Sequence, residues 1–120
     1  MKLNQKTAGH GEPLVLLHGG MGSINHWHNN FDELAKHYTV HAIDMPSYGD
    51  SPTVPKETPT DEYVGLVVNA LNDIVPAGSF RIAGFSFGGA IAALCAARLG
   101  KRVHKYRHCL CRILHESIFV

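Results

Sequence analysis

One short motif of this 120-residue chain has the residue types and spacing for nucleophilic attack on a carbonyl group. Gly84-Phe85-Ser86-Phe87-Gly88 fits the pattern Gly-x-Ser-x-Gly, which places a serine on a sharp turn between a strand and a helix. Glycines flank the serine because the turn leaves no room for side chains, and the turn holds the hydroxyl clear of the sheet. Ser86 is therefore the candidate nucleophile.

A serine nucleophile also needs hydrogen-bond donors at the place where the carbonyl oxygen gains negative charge. The backbone N–H of Phe87, at the start of the helix that should follow, would point there, and the positive end of that helix favours the same charge. A second donor is expected from the loop after an earlier strand. His18-Gly19-Gly20-Met21 supplies a loop of this kind, with a backbone that glycine leaves accessible.

The hydrophobic pattern predicts the elements that must hold these two loops. Three short apolar runs are typical of strands buried in a sheet, at residues 14–17, 39–43 and 80–85. Apolar side chains recur at helical spacing in three other segments, residues 25–37, 60–74 and 90–99. Strands that alternate with helices form a parallel sheet with right-handed crossovers. The sequence therefore predicts an α/β fold in a three-layer sandwich.

Three motifs, taken in order, resemble one family. His18-Gly19-Gly20, residues 44–51 (DMPSYGDS) and residues 84–89 (GFSFGG) follow one another as in the third, fourth and fifth strands of the α/β-hydrolase family, over about residues 11–105. The resemblance implies that Ser86 is the nucleophile and that the N–H groups of Phe87 and Gly20 form the oxyanion hole. It also implies that His18 is a structural part of its loop, and that the sheet is a partial parallel sheet of the α/β-hydrolase type.

By the same resemblance, the reaction is attack by Ser86 on an ester, an amide or a related carbonyl substrate. An acyl-enzyme forms and is hydrolysed by water. This chemistry requires neither a cofactor nor a metal. The expected partner is a small-molecule substrate, with no nucleic acid and no membrane.

The family pattern is incomplete after the serine. The triad of this family runs serine, acid, histidine along the chain, whereas the only carboxylate after Ser86 is Glu116, and no histidine follows it. The histidines beyond the serine all precede that acid: His104, His108 and His115. We therefore expect residues 1–104 to be the N-terminal portion of a hydrolase domain, and residues 105–120 to be an atypical basic tail from a truncated or frame-shifted end.

A serine without its base retains little activity. The alternative to an active enzyme is therefore a catalytically inactive interaction protein that keeps the first part of the fold. A sheet that lacks several strands has open edges, and such edges favour self-association.

Composition and charge indicate a globular protein whose last twenty residues differ from the rest of the chain. The chain has 45% hydrophobic and 18% charged residues, which is ordinary for a folded domain. The formal net charge of +1 hides a division, because residues 101–120 carry +4 and residues 1–100 carry −3. The three cysteines make a poor disulfide framework, and the sequence shows no signal peptide and no apolar run of membrane length. These features predict a cytoplasmic protein.

A second interpretation is a dinucleotide-binding domain. Gly20-Met21-Gly22 follows a strand and Asp44 ends the next one, as a phosphate-binding turn and a ribose-binding acid would. The third glycine of that motif is missing, because Asn25 stands in its place. Such a domain also has no reason to place Gly-x-Ser-x-Gly after its third strand, so this interpretation is the weaker one.

Two other clusters have simple interpretations. Several potential metal ligands lie close together near the C-terminus: His104, His108, Cys109, Cys111 and His115. The Cys-x-Cys spacing lacks the two-residue gap usual in zinc sites and no second pair follows, so a solvated tail is the better interpretation. Trp27 and Phe31, at helical spacing, are predicted core residues, although His26 and His28 beside them could line the mouth of a pocket.

Overall fold

The computed structural model describes residues 1–109. Within this range the chain forms five strands, three α-helices and two short 3-10 helices. The strands are β1 (Gln5–Ala8), β2 (Pro13–Leu17), β3 (Thr39–Ile43), β4 (Phe80–Phe85) and β5 (Val103–Cys109). The α-helices are α1 (Phe31–Leu34), α2 (Thr60–Ile74) and α3 (Phe87–Leu99), and the 3-10 helices are Ile24–Trp27 and Gly100–Arg102.

The strands form one sheet in the order β1-β3-β2-β4-β5. β1 is antiparallel to β3, and each of the other neighbouring pairs is parallel. Right-handed crossovers between parallel strands bring the chain back across the sheet through helices, which is why strands and helices alternate. The α/β fold predicted from the sequence is confirmed, and the sheet is mixed because of its antiparallel edge strand.

Side chains of the central strand β2 alternate between two hydrophobic cores, one on each face of the sheet. Val15 and Leu17 belong to the core that α2 and α3 cover. Leu14 and Leu16 belong to the core on the opposite face. The residues that cover this opposite face are Trp27, Phe31 and Leu34. Burial on both faces explains why β2 is a continuous apolar run, and the result is a three-layer arrangement.

The predicted helix over residues 25–37 is replaced by the 3-10 helix Ile24–Trp27 and the one-turn helix α1. The residues between them are histidine and asparagine, which are weak helix formers, so apolar spacing alone did not produce one long helix. Trp27 and Phe31 are only 1% and 2% exposed, which confirms that they are core residues.

The sequence prediction missed β1 and β5, which lie at the two edges of the described sheet. Edge strands carry polar side chains and so lack a strong apolar pattern. In β5, Tyr106 packs on the core, and its hydroxyl donates a hydrogen bond of 2.9 Å to the Gly89 carbonyl. β5 crosses the predicted boundary between residues 104 and 105, and the part of the predicted tail from residue 110 onward lies outside the described residues.

The strand order fixes where a binding site is expected. From the central strand β2 the parallel sheet extends through β3 on one side and through β4 on the other. At such a switch point the loops after the two neighbouring strands diverge and leave a crevice at their carboxyl ends. The loops after β2 and β4 contain the two candidate motifs. Over residues 1–109, none of the helices is both long and apolar enough to span a bilayer.

Candidate active site

Ser86 is the one residue between the end of β4 and the start of α3. Its backbone has φ 53° and ψ −115°, a conformation that residues with a Cβ atom rarely adopt. The residue is exposed, and its carbonyl accepts hydrogen bonds from the N–H groups of Gly89 and Ala90. The local geometry is therefore a strand, a strained turn and a helix, with Ser86 accessible at the N-terminal end of α3.

Two glycines allow this turn to pack closely. A Cβ atom on Gly84 would collide with the backbone of Gly88 and Gly89, because α3 turns back directly over the end of β4. A Cβ atom on Gly88 would collide with the carbonyl oxygens of Leu17 and His18, at the end of β2. The first turn of α3 therefore lies against the start of the loop after β2.

This packing brings the three predicted site residues together. A Cβ atom built on Gly20 would lie 3.7 Å from the Cβ atom of Phe87, the residue after Ser86. The N–H of Phe87 belongs to the first turn of α3, whose N–H groups have no partner within the helix. Among residues 1–109, no hydrogen bond is formed by the N–H of Gly20. Two backbone donors are thus available beside the serine.

Hydrogen bonds to the Gly19 carbonyl oxygen hold the loop that contains Gly20. The N–H of Gly22 donates to it at 3.1 Å, which closes a tight turn with Met21 at φ 61°. His18 Nδ1 lies 2.7 Å from the same oxygen. Since the C=O and the N–H of a trans peptide point in opposite directions, these two contacts turn the N–H of Gly20 away from them. The orientation of this donor is therefore fixed by its own loop.

His18 uses both of its ring nitrogens within the fold. Nε2 is 3.0 Å from the N–H of Met45 and accepts from it, so the proton of the neutral ring is on Nδ1, which donates to Gly19. The ring is fully buried, and this burial lowers the pKa of His18 below its usual value. The histidine is neutral and engaged on both sides, which agrees with a structural role in the loop and leaves no nitrogen to serve as a base.

Asp44 connects three segments around the site. Its carboxylate accepts hydrogen bonds from the Ile24 N–H at 2.8 Å, the Asn4 side chain at 2.9 Å and the Asp50 N–H at 3.0 Å. Burial opposes ionisation of this carboxyl group, but the three hydrogen bonds outweigh burial and lower the pKa of Asp44. With its oxygens occupied and only 3% of the residue exposed, Asp44 is not placed to bind a ribose. This arrangement argues against the dinucleotide interpretation.

Apolar and aromatic side chains surround the exposed serine. The ring of Phe87 is 37% exposed and lies 6.2 Å, between ring centroids, from both Tyr48 and Tyr63. The Tyr63 hydroxyl donates to the Pro46 carbonyl oxygen at 2.9 Å, so this ring is held in place. Met21, in the Gly20 loop, is 98% exposed. The exposed side chains of Phe87 and Met21 therefore add apolar surface close to the start of α3.

The other histidines of interest lie at different places. His104 Nε2 is 3.3 Å from the Glu12 carboxylate, and the ring of His108 lies against Gly89. His28 is exposed, and its Nδ1 pairs with the Asn25 carbonyl oxygen within the 3-10 helix. His26 lies beside the Gly20 loop, and the apolar pattern gave no signal for this contact.

Some residues singled out in the sequence lie outside the described residues, and two cavities of the structure lie away from Ser86. Cys111, His115 and Glu116 are outside the described residues. Within residues 1–109, no three His, Cys, Asp or Glu side chains are grouped as a metal site requires. Two cavities, of about 580 and 320 Å³, are lined by other residues than Ser86, Phe87 and Gly20. The larger of the two lies between the N-terminal residues, His41 and α2.

Comparison with known protein sequences gives a consistent result. A sequence profile of the α/β hydrolase fold matches residues 12–108. The chain is 37% identical over 93 residues to a dihydrolipoyllysine-residue acetyltransferase component of the acetoin cleaving system from Pseudomonas putida. It is 32% identical over 106 residues to a pimeloyl-(acyl-carrier protein) methyl ester esterase from Aeromonas salmonicida. These matches cover 78% and 87% of this chain, and 25% and 39% of the two relatives.

The fold is also similar to solved structures. A marine microorganism esterase superposes with a TM-score of 0.81 at 28% sequence identity, over 89% of this chain and 41% of that protein. The chain thus spans about a quarter to two fifths of the length of the relatives that it matches. The matched part contains the two loops described above, after β2 and after β4.

Proposed function

The chain belongs to the α/β-hydrolase family, and on this premise we propose that it carries the nucleophile and the oxyanion hole of a serine hydrolase. Ser86 would be the nucleophile, and the backbone N–H groups of Gly20 and Phe87 would be the oxyanion donors. The substrate class is a small-molecule ester, amide or related carbonyl compound. The observation that carries this proposal is the strained backbone of Ser86, followed by Phe87, whose Cβ atom would lie 3.7 Å from a Cβ atom built on Gly20.

Backbone strain supports a role in chemistry because the fold alone does not need a serine there. A non-glycine residue at positive φ costs on the order of 1–3 kcal/mol, and glycine would adopt the same turn without that penalty. A hydroxyl group at this position gives the fold no hydrogen bond to another described residue. Retaining serine in a strained turn is therefore best explained by the hydroxyl itself.

The proposed reaction has two steps. Ser86 Oγ attacks the carbonyl carbon while a base takes the hydroxyl proton, and the carbonyl oxygen becomes an oxyanion that accepts from the Gly20 and Phe87 N–H groups. Collapse of this intermediate expels the alcohol or amine, which takes up the proton, and leaves an ester on Ser86. Water then attacks that ester, releases the acid and restores the serine.

The base is the part of this reaction that the described residues do not supply. His18 is occupied, and no hydrogen bond joins Ser86 to a histidine or a carboxylate within residues 1–109. The order serine, acid, histidine in this family would place both partners after Ser86. Since the relatives are two and a half to four times longer than the matched region, we propose that the base and its acid belong to a longer hydrolase domain.

Covalent labelling tests the nucleophile directly. The full chain is incubated with a fluorophosphonate and, separately, with p-nitrophenyl acetate, beside Ser86→Ala and the control Ser79→Ala, which alters an exposed serine in a turn. We expect mass spectrometry to find the phosphonyl group on Ser86 in the wild type and the control, and none on Ser86→Ala. Because the described residues supply no base, labelling is followed over hours, and ester hydrolysis should be slow in all three proteins.

Absence of the phosphonyl group from Ser86 in the wild type would contradict the proposal. That result would instead favour the inactive interaction protein, for which the apolar surface around Phe87 is the natural contact site. The two functions are therefore separated by one pair of variants.

A further inference from the structure

His26 contacts the loop that contains the Gly20 donor. Its Nδ1 lies 3.1 Å from the backbone nitrogen of Gly19 and accepts the N–H of that residue. The ring also fills the space over Gly22, where a Cβ atom would collide with it. His26 therefore contacts the loop on both sides of Gly20.

The same ring contacts the residue that precedes the nucleophile. The His26 and Phe85 rings meet edge to face, with centroids 5.5 Å apart and planes at 88°. The Phe85 ring also lies under Gly19, where it would meet a Cβ atom at 2.6 Å. The half-buried His26 side chain thus packs against both the loop that contains Gly20 and Phe85, the last residue of β4.

Gly19 is consequently held at both of its backbone polar groups. Its C=O accepts from His18 and from the Gly22 N–H, whereas its N–H donates to His26. The C=O contacts set the direction of the next peptide, and the N–H contact sets the position of the whole residue. Without the His26 acceptor, the peptide before Gly19 can rotate toward water, and Gly20 shifts with it.

We propose that His26 is a positioning residue of the oxyanion hole, whose neutral Nδ1 holds Gly19 so that the Gly20 N–H stays beside Ser86. This inference rests on the proposed function, since it assigns His26 a role toward the same oxyanion. The imidazole acts only through the backbone and does not touch the substrate.

The tautomer gives the proposal a chemical signature. Nδ1 accepts a hydrogen bond only while it carries no proton, so protonation of the ring removes the Gly19 contact. His18 is a second titratable ring that faces His26, with centroids 6.1 Å apart and planes at 83°. The Gly19 contact therefore requires the His26 tautomer with its proton on Nε2.

Amide hydrogen exchange on the full ¹⁵N-labelled chain tests the contact without any need for turnover. We expect the Gly19 amide to exchange at least tenfold faster in His26→Ala than in the wild type, while His26→Asn, which offers an oxygen acceptor near the place of Nδ1, restores protection. The Gly89 amide, which donates to the Ser86 carbonyl at 2.9 Å, serves as the reference and should not change. His28→Ala, which alters the residue directly after the same 3-10 helix, is the control variant.

The conservative variant gives a second readout. An asparagine oxygen accepts the Gly19 N–H but does not fill the space of the imidazole, so a ring that merely packs would leave Gly19 exchanging as fast in His26→Asn as in His26→Ala. Equal exchange of Gly19 in the wild type and His26→Ala, or equally fast exchange in His26→Asn and His26→Ala, would overturn the inference.

The rate of Ser86 labelling connects the Gly19 contact to the proposed nucleophile. The fluorophosphonate oxygen accepts from the same backbone donors as a carbonyl oxygen would, so Ser86 should be labelled about tenfold to a hundredfold more slowly in His26→Ala than in the wild type, and His26→Asn should recover most of that loss. If Ser86 is labelled but His26→Ala does not slow the labelling, the positioning role is wrong and the proposed function stands. If Ser86 of the wild type is not labelled, the proposed function fails, whatever Gly19 exchange shows.

Discussion

His18 Nδ1 lies 2.7 Å from the carbonyl oxygen of Gly19, and through this contact a buried histidine side chain holds the backbone of the candidate oxyanion loop. The opposite nitrogen accepts from the Met45 N–H, so the ring joins the loop after β2 to the loop after β3. Both contacts require the neutral ring with its proton on Nδ1. The stability of the fold is therefore linked to the protonation of this one side chain.

Acidification should destabilise the protein in a window set by His18. In the folded state burial lowers the pKa of His18 below the usual 6.5. As the pH is lowered past about 6.5, the unfolded chain therefore binds more protons than the folded protein, and the free energy of unfolding decreases. Burial lowers the pKa of His41 in the same direction. The lowered pKa of Asp44 acts at lower pH, because its stabilisation is lost only as the pH falls below 3.8.

Urea unfolding between pH 7.5 and 5 measures this effect. His18→Gln should be less stable than the wild type at pH 7.5 by about 1–3 kcal/mol, because buried hydrogen bonds are lost. Its further loss on acidification should be smaller than that of the wild type, since one of the two histidines with a lowered pKa no longer titrates. His10→Gln, at an exposed position, is the control, and an unchanged acid slope in His18→Gln would contradict the linkage.

Ser86 should store strain that glycine releases. Because its φ is 53°, Ser86→Gly should be more stable than Ser86→Ala by about 1 kcal/mol, although both variants lack the hydroxyl. The two midpoints of urea unfolding give the comparison. Should Ser86→Ala equal or exceed Ser86→Gly in stability, the turn is not strained and the main support for a chemical role of Ser86 is removed.

The sequence predicted the parts of the site that follow local rules. Gly84 and Gly88 must be glycine for the turn around Ser86 to pack, so the motif and the apolar strand before it identify the turn between β4 and α3. The α/β fold could be predicted for a similar reason: β2 is buried on both faces, so its sequence is a continuous apolar run, which is typical of a strand in a parallel sheet.

The remaining features depend on contacts between distant segments. Asp44 fits a ribose-binding acid by its place after a strand, and only the three donors from elsewhere in the chain show that it is structural. His26 was one of several polar residues in a predicted helix, and nothing local indicates that it accepts the Gly19 N–H. β5 is polar and lies at an edge, so its pairing with β4 determines its structure more than its own pattern does.

Arg102 should stabilise the end of α2. Its guanidinium donates to the carbonyl oxygens of Val75 and Gly78 and, at 2.6 Å, to the Asn72 side chain, so it satisfies acceptors where the helix leaves carbonyls unpaired. Arg102→Ala should lower the free energy of unfolding by about 1–3 kcal/mol. Lys101→Ala, which alters the exposed neighbour, should change it by less than about 0.5 kcal/mol, and equal losses would contradict the capping role.

Two glycines inside helices should respond in opposite ways to alanine. Gly65 lies within α2, where a Cβ atom would meet only the Arg98 Nη1 at 3.3 Å, and that exposed side chain can move. Gly65→Ala should therefore raise the free energy of unfolding by about 0.5–1 kcal/mol, because alanine restricts the unfolded chain and favours the helix. Gly88 lies in the first turn of α3, where a Cβ atom would collide with the carbonyl oxygens of Leu17 and His18.

The backbone of Leu17 and His18 cannot move aside as an exposed side chain can. Gly88→Ala should therefore lower the free energy of unfolding by about 1–3 kcal/mol. The collision also pushes the start of α3 away from the loop after β2, and so separates the Phe87 N–H from Gly20. Fluorophosphonate labelling of Ser86 should therefore slow in Gly88→Ala and stay unchanged in Gly65→Ala, even under conditions where both variants are fully folded. Unaltered labelling of a destabilised Gly88→Ala would mean that the two loops need not touch for Ser86 to react.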